Sequence, residues 1–216
     1  MTINDQYSPR YWDKKAFRYD KRAMNKKSPS YLSCFEHIRK AVEDRARVVD
    51  LGCGTGILSY ALLDMVSSVV GVDISSGMLS MARGKQTKDK YNKTEFLKGD
   101  MHGTALQNNI ADNVLLCNVL QFTRTPDILL LEAKRLARPN GLVITATTCY
   151  GTVRSIRGLF MSLGMFMART FKTVPYTRFY TFKKLRSELE NSGMVIIAEK
   201  KMKHMGKVGL FAVLKT

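Results

Sequence analysis

The sequence has little that would staple or anchor it. Its four cysteines, Cys34, Cys53, Cys117 and Cys149, are scattered and form no CxxC pair. That argues against a disulfide frame or a zinc site and suits a reducing compartment. The longest apolar run, Leu159 to Ala168, is far short of the ~20 residues that a membrane span needs. The opening MTINDQYSPRYWDKK is polar and charged, with no secretory apolar core. Pro, Gly and Ser are scattered, and no repeat or low-complexity tract divides the chain. These absences lead us to expect a cytoplasmic protein.

Acid is scarce as well, with 18 Asp and Glu against 35 Lys and Arg, for a net charge of +17. The excess is uneven: +6 over Met1–Arg47, +1 over Val48–Thr145 and +10 over Ala146–Thr216. Basic flanks attract anions such as nucleic acid, anionic lipid or acidic metabolites, or they simply solvate the surface. At this level both readings stay open.

What is present is a regular alternation. With 216 residues the chain can bury a full core without staples. Short apolar strands are expected at Arg47–Leu51, Ser68–Val72, Thr94–Lys98, Asn113–Asn118, Leu142–Thr147, Met194–Glu199 and Val208–Lys215. Helical patterns fall at Tyr31–Val42, Ile57–Val66, Ser75–Arg83, Pro126–Ala137 and Phe182–Asn191. Strand alternating with helix implies an α/β, Rossmann-like, doubly wound sheet, seven-stranded and mainly parallel, with helices on both faces. The last two strands are joined too briefly for a helix, so they should pair antiparallel. The run NVLLCN is apolar throughout, as a strand covered on both sides must be.

In such sheets ligands sit at the carboxyl ends of the strands, where strand order reverses. The segment VVDLGCGTGILSYAL puts Gly52, Gly54 and Gly56 in the first strand-to-helix turn, which is that place. Positions without side chains let the backbone approach a ligand, and the helix beyond offers free N–H donors. A dinucleotide fingerprint would need a small residue where Ile57 stands, and no Lys-Ser/Thr follows to make a P-loop. Asp50, just ahead of the loop, repels a pyrophosphate and suits a cationic or amino-bearing ligand. Asp73, ending the second strand, can accept from both hydroxyls of a ribose.

Several further segments follow in a fixed order: VVGVDISSGMLSMAR, FLKGDMHGTAL and ADNVLLCNVLQFTRTPDILLLEAKRLARPNGLVIT, preceded by YWDKKAFRYD. Together with VVDLGCGTG they resemble the class I S-adenosylmethionine-dependent methyltransferases. The resemblance is to the small type related to quinone and metabolite methylating enzymes, and it covers about Tyr11 to Thr148. It implies one methyltransferase domain over residues 1–216: N-terminal cap helices (1–45), a cofactor core (46–148), an acceptor-side insertion (149–180) and a final helix with two strands (181–216).

The resemblance also implies roles. Asp50 and the backbone of Gly52, Cys53, Gly54 and Gly56 would hold the methionine part of S-adenosylmethionine. Asp73 would take the ribose hydroxyls, with Ile74 and Met78 on the adenine. Asp100 would accept from the adenine amino group, and the Met101 amide would face a ring nitrogen. Asn118 would offer its carbonyl to the cofactor ammonium, and Tyr19 would close over the carboxylate. S-adenosylhomocysteine is the expected product, and no metal is expected. A sulfonium methyl is already activated, so placement and water exclusion supply most of the rate. No side chain stands out as a base.

The acceptor side departs from the family between Cys149 and Tyr180. Arg154, Arg157, Arg169 and Lys172 fall on one side of a projected helix, with Leu159, Phe160, Leu163 and Phe166 on the other. Such a basic amphipathic segment is a cap over the site, a wall for a greasy acceptor, or a contact with an anionic membrane. Tyr11, His102, Tyr150, Arg154 and Tyr176 are the candidate acceptor residues. The expected partner is a small hydrophobic or anionic acceptor, with peripheral membrane contact as an extension. RNA is the alternative acceptor, disfavoured because no NPPY-type segment and no appended RNA-binding module are present. A donor-binding protein without catalysis is the third reading. Oligomeric state is not legible.

Overall fold

In the computed structural model, the described residues are 9–23, 30–87, 92–149, 176–204 and 207–216. Helix α1 (Pro9–Ala23) and helix α2 (Ser30–Ala41) precede strand β1 (Arg47–Leu51). There follow α3 (Ile57–Ala61), β2 (Ser68–Asp73), α4 (Ser76–Arg83), β3 (Thr94–Lys98) and β4 (Ala111–Cys117). A 3-10 turn at Leu120–Phe122 leads to α5 (Pro126–Leu136) and β5 (Ala137–Cys149). Helix α6 (Phe182–Glu190), β6 (Val195–His204) and β7 (Lys207–Lys215) complete the order.

The strands make one seven-stranded sheet in the order β3-β2-β1-β4-β5-β7-β6. β1 pairs in parallel with β2 and with β4, so the order reverses between them. β7 runs antiparallel to both β5 and β6, as the short connection between the last two strands requires. Alternate strand residues feed two cores. Val49, Leu51, Val114 and Leu116 pack with Leu129, Leu136, Leu185 and Leu189 on the face of α5 and α6. Val48, Val69 and Leu115 pack with Phe35, Ile38, Leu58 and Leu62 on the face of α2 and α3. Among the described residues no helix is long and apolar enough to cross a membrane.

Several expected boundaries move, three of them for reasons the structure shows. The helix expected over Ile57–Val66 stops at Ala61, because the next amides bond three residues back: Leu62 to the Ser59 carbonyl and Leu63 to that of Tyr60, both 3.4 Å. Pro139-Asn140-Gly141 is not a separate connection but an irregularity inside β5. Pairing runs Ala111 to Ala137 and resumes at Asn113 to Leu142, with Asn140 at φ 63°. The final hairpin is longer than expected, since pairing continues as far as His204 with Lys207.

The end of the sheet opposite the glycine loop is pinned by charge. Asp112 accepts from the Arg47 amide at 2.6 Å and pairs with the Arg47 and Arg138 guanidinium groups.

Candidate donor-binding site

The glycine loop is bonded into the sheet before any ligand is considered. The Gly52 and Cys53 amides donate to the Val72 carbonyl at 2.7 and 3.1 Å, and the Gly54 amide donates to Asp73 Oδ2 at 2.8 Å. Gly52 has φ 75°, and a Cβ there would meet Val119 Cγ1 at 2.3 Å. Both conformation and space therefore demand glycine. Gly54 has φ 57° with nothing within 4 Å of a Cβ position, so its backbone faces open space.

Asp73 is held at both oxygens, since Oδ1 takes the Ser75 amide at 2.8 Å. Each oxygen keeps further acceptor capacity. Burial raises its pKa, against the backbone N–H bonds from Ser75, Gly54 and Ile74. Ser75 also starts α4, accepting from the Met78 amide at 3.1 Å.

On the third and fourth strands the sequence turns in the same place. After β3 come Gly99, Asp100 and Met101. Asp100 Oδ1 accepts from the His102 amide at 2.9 Å and lies 2.7 Å from His102 Nδ1. The opposite ring nitrogen, Nε2, is 2.8 Å from Thr123 Oγ1. The bond from the His102 side chain to Asp100 holds the Asp100 carboxyl below its ordinary range. β4 ends in a left-handed turn at Asn118 (φ 55°), whose amide donates to the Ala146 carbonyl at 2.7 Å. Glu132 accepts from the Thr104 amide at 2.8 Å and pairs with Arg135 at 2.6 Å, fixing the loop beyond Asp100 against α5.

Helix α1 lies over these strand ends. Asp13 Oδ1 accepts from Ser75 Oγ at 2.6 Å and from the Gly77 amide at 2.8 Å. Asp20 accepts from Thr55 Oγ1 at 2.5 Å and pairs with Lys85. Seven residues apart on one helix, the two carboxylates point the same way. On the same helix Trp12 stands edge-on to Phe122 (ring centroids 5.1 Å) and to Tyr19 (6.5 Å).

These pieces line one cavity. Tyr19, Gly52, Gly54, Asp73, Ile74, Met78, Asp100, Met101 and Asn118 line it. Three expected donor residues lie behind it instead. Asp50 is buried and accepts from Ser59 Oγ at 2.7 Å. Cys53 packs with Leu79, Ala82 and Phe96, and Gly56 sits against Phe96 and Tyr60.

Of the candidate acceptor residues, His102 supports Asp100 from outside the wall. Tyr11 packs edge-on against Trp12, and Tyr176 lies under the Arg124 guanidinium at 4.6 Å. None of these three is a lining residue. Tyr150, Arg154 and the basic amphipathic segment lie outside the described residues.

Trp12, Gly99, Cys117, Val119 and Phe122 line the cavity without having been anticipated. Four of the five immediately flank a strand end or the turn after it, and the carboxyl-end rule could have found them. Trp12 carried no such signal, because only the docking of α1 brings it there. Burial pushes the Tyr19 hydroxyl pKa up, reinforced by Cys117, Asp73, Asp20 and Asp50. The Tyr19 hydroxyl is therefore a neutral donor at the roof.

Residues 49–145 match the family model described as a methyltransferase domain. The chain is 29% identical over 160 residues to a malonyl-[acyl-carrier protein] O-methyltransferase of Legionella pneumophila, covering 73% of this chain and 55% of that protein. It is 33% identical over 112 residues to a demethylmenaquinone methyltransferase of Bacillus pumilus, covering 50% and 47%. The chain thus spans about half the length of these curated relatives. Among solved structures, a Thermotoga maritima S-adenosylmethionine-dependent methyltransferase, described as a possible histamine N-methyltransferase, superposes with a TM-score of 0.72. It is 19% identical, and the match covers 96% of this chain and 99% of that one. That likeness shows the fold. Taken with the methyltransferase-domain match over residues 49–145, it makes the chain similar to the class I S-adenosylmethionine-dependent methyltransferases.

Proposed function

We propose that this chain binds S-adenosylmethionine in the cavity under α1 and directs its methyl group to a small hydrophobic or anionic acceptor. The observation that carries the reading is the convergence of Gly54, Asp73, Asp100 and Asn118 from the carboxyl ends of four strands on one cavity. The chemistry of these groups fits the donor. Asp73 retains acceptor capacity for a diol, Ile74 and Met78 offer apolar contact to a flat ring, and Asp100 is a second fixed acceptor. The open space at Gly54 admits a chain passing close to the backbone.

Bound S-adenosylmethionine supplies a sulfonium methyl that needs no further activation. The work of the protein is then placement. Asp73 and Asp100 hold the nucleoside end, the Asn118 turn takes the amino-acid end, and Tyr19 donates from the roof. Trp12, Val119 and Phe122 keep water from the reacting face, where alignment of acceptor and methyl supplies the rate. The apolar character of those three residues favours an acceptor with an apolar body. The named substrates of the relatives, a malonyl-acyl-carrier protein and a demethylmenaquinone, both carry such a part or an acidic one. A cytoplasmic, peripherally membrane-associated enzyme suits a quinone- or lipid-like acceptor.

Calorimetry tests the donor half of the proposal. S-adenosylhomocysteine should bind, and Asp73→Ala should lose that binding. Binding of NADH in place of either sulfur nucleotide overturns it. The acceptor half is tested by transfer of labelled methyl to fractionated extract. Label is expected in the small-molecule or lipid fraction. Label concentrated in RNA would give the acceptor role to nucleic acid and explain the +17 charge.

A further inference from the structure

Helix α1 has two faces that do different things. The inner face carries Trp12 and Tyr19 into the cavity and buries Ala16. It also presents Asp13 and Asp20 to the α4 start and the glycine loop. The outer face carries Arg10, Lys14, Phe17, Arg18 and Lys21, all exposed and spaced for one side of a helix. Phe17 is 83% exposed, the most exposed large apolar side chain among the described residues. Both acids of the helix are engaged in hydrogen bonds, Asp13 with Ser75 and Gly77 while still exposed and Asp20 with Thr55, so the outer face is mainly cationic with one aromatic at its middle.

We propose that this outer face docks on an anionic lipid surface, with Phe17 inserted at the headgroup boundary, and that docking and donor binding reinforce each other. The inference rests on the donor reading of the cavity given above. Charge complementarity selects the occupant. Four exposed cations flanking an exposed phenyl ring match the arrangement by which interfacial helices hold anionic bilayers. The apolar wall formed by Val119 and Phe122 beneath the same helix suits an acceptor drawn from that surface.

Coupling follows from the shared helix. α1 is a continuous fifteen-residue segment, so a surface that holds its outer side also holds Trp12 and Tyr19 over the cavity. A ligand that fills the cavity likewise keeps the outer face presented. By linkage, each partner must raise affinity for the other by the same factor.

The test uses the full chain and two readouts: flotation with phosphatidylglycerol or phosphatidylcholine vesicles, and S-adenosylhomocysteine affinity with and without them. The wild type should float with phosphatidylglycerol only. These vesicles should tighten S-adenosylhomocysteine binding by about three- to tenfold, with the ligand raising flotation to match. Phe17→Glu and the double variant Lys14→Glu/Arg18→Glu change exposed side chains only. Each should keep the solution affinity for S-adenosylhomocysteine and lose flotation and enhancement together.

Equal flotation of Phe17→Glu, or flotation that leaves ligand affinity unchanged, overturns the proposal. So does an RNA oligomer that binds α1 in preference to the vesicles. Failure of the wild type to bind S-adenosylhomocysteine in plain buffer overturns the donor reading instead. Flotation without that binding would separate the two.

Discussion

The Gly54 amide donates to Asp73 Oδ2 at 2.8 Å, so the turn after β1 and the acid that ends β2 form one hydrogen-bonded unit. Neither is free to move without the other, and the diol acceptor of the site is fixed by the loop that passes beside it. Asp73→Asn keeps the shape but replaces one charged acceptor with a donor that must face either the Gly54 or the Ser75 amide. S-adenosylhomocysteine affinity should fall roughly 10- to 100-fold, as loss of charge-assisted bonds predicts. Calorimetry at neutral pH measures it, and an unchanged dissociation constant would remove Asp73 from the site.

Gly52 tests the loop itself. Alanine at φ 75°, with a Cβ 2.3 Å from Val119 Cγ1, should cost about 2–4 kcal/mol of stability through strain and overpacking. Adding Val119→Ala should restore only the steric part. Urea denaturation of the single and double variants resolves the two contributions, and full rescue by the double variant would show that backbone conformation contributes nothing.

Asp50 lies behind the loop, and its prediction concerns pH. Burial raises its carboxyl pKa from 3.8 to about 6, the Ser59 hydroxyl works the other way, and the charge on Asp73 adds to the rise. The folded chain therefore binds this proton more tightly than the unfolded chain does. Stability contributed by the group is full below about pH 4 and is lost as pH rises through about 6. Asp50→Asn can still accept from Ser59 and carries no buried charge. It should be more stable than wild type by about 1–3 kcal/mol near pH 8, with the advantage fading below about pH 4. A pH-independent difference in denaturation midpoint would contradict this origin.

Asp13 tests the roof. Asp13→Ala removes the acceptor for Ser75 Oγ and the Gly77 amide but leaves the sheet and its two cores untouched. Amide exchange across residues 9–23 should accelerate while the β1 and β4 amides stay protected. S-adenosylhomocysteine affinity should drop by about 5- to 20-fold, near the lower end of what one charge-assisted bond is worth. Unaltered exchange in α1 would mean that Asp20 alone secures the helix.

The central part of the fold could be read directly from the residues. Strand-length apolar runs, helix caps such as Ser75, and the short connection before the last strand are local signals. They give the parallel sheet and its antiparallel β7 without knowledge of packing. Boundaries failed where local signals compete with pairing. Ile57–Val66 is apolar at helical spacing, yet its last turn tightens. Pro139-Asn140-Gly141 looks like a chain break and is absorbed by the β4–β5 register shift.

By itself, then, the sequence determined the order of elements, the glycine turn at the switch point, and the acids at the ends of β2 and β3. These follow from periodicity and from side-chain-free positions, which neighbouring residues decide. Only the tertiary structure decided which loop residues face the cavity. Gly52 and Gly54 do, while Asp50, Cys53 and Gly56 turn to Ser59 and Phe96, because facing depends on strand register and on packing from α4. The resemblance led us to expect Tyr19 over the cofactor; how α1 carries it, and Trp12 with it, over the strand ends is decided by the contacts of Asp13 and Asp20. No local pattern carries that information, since its partners are Ser75, Gly77, Thr55 and Lys85 on other elements. The same docking turned the cations and Phe17 of α1 outward.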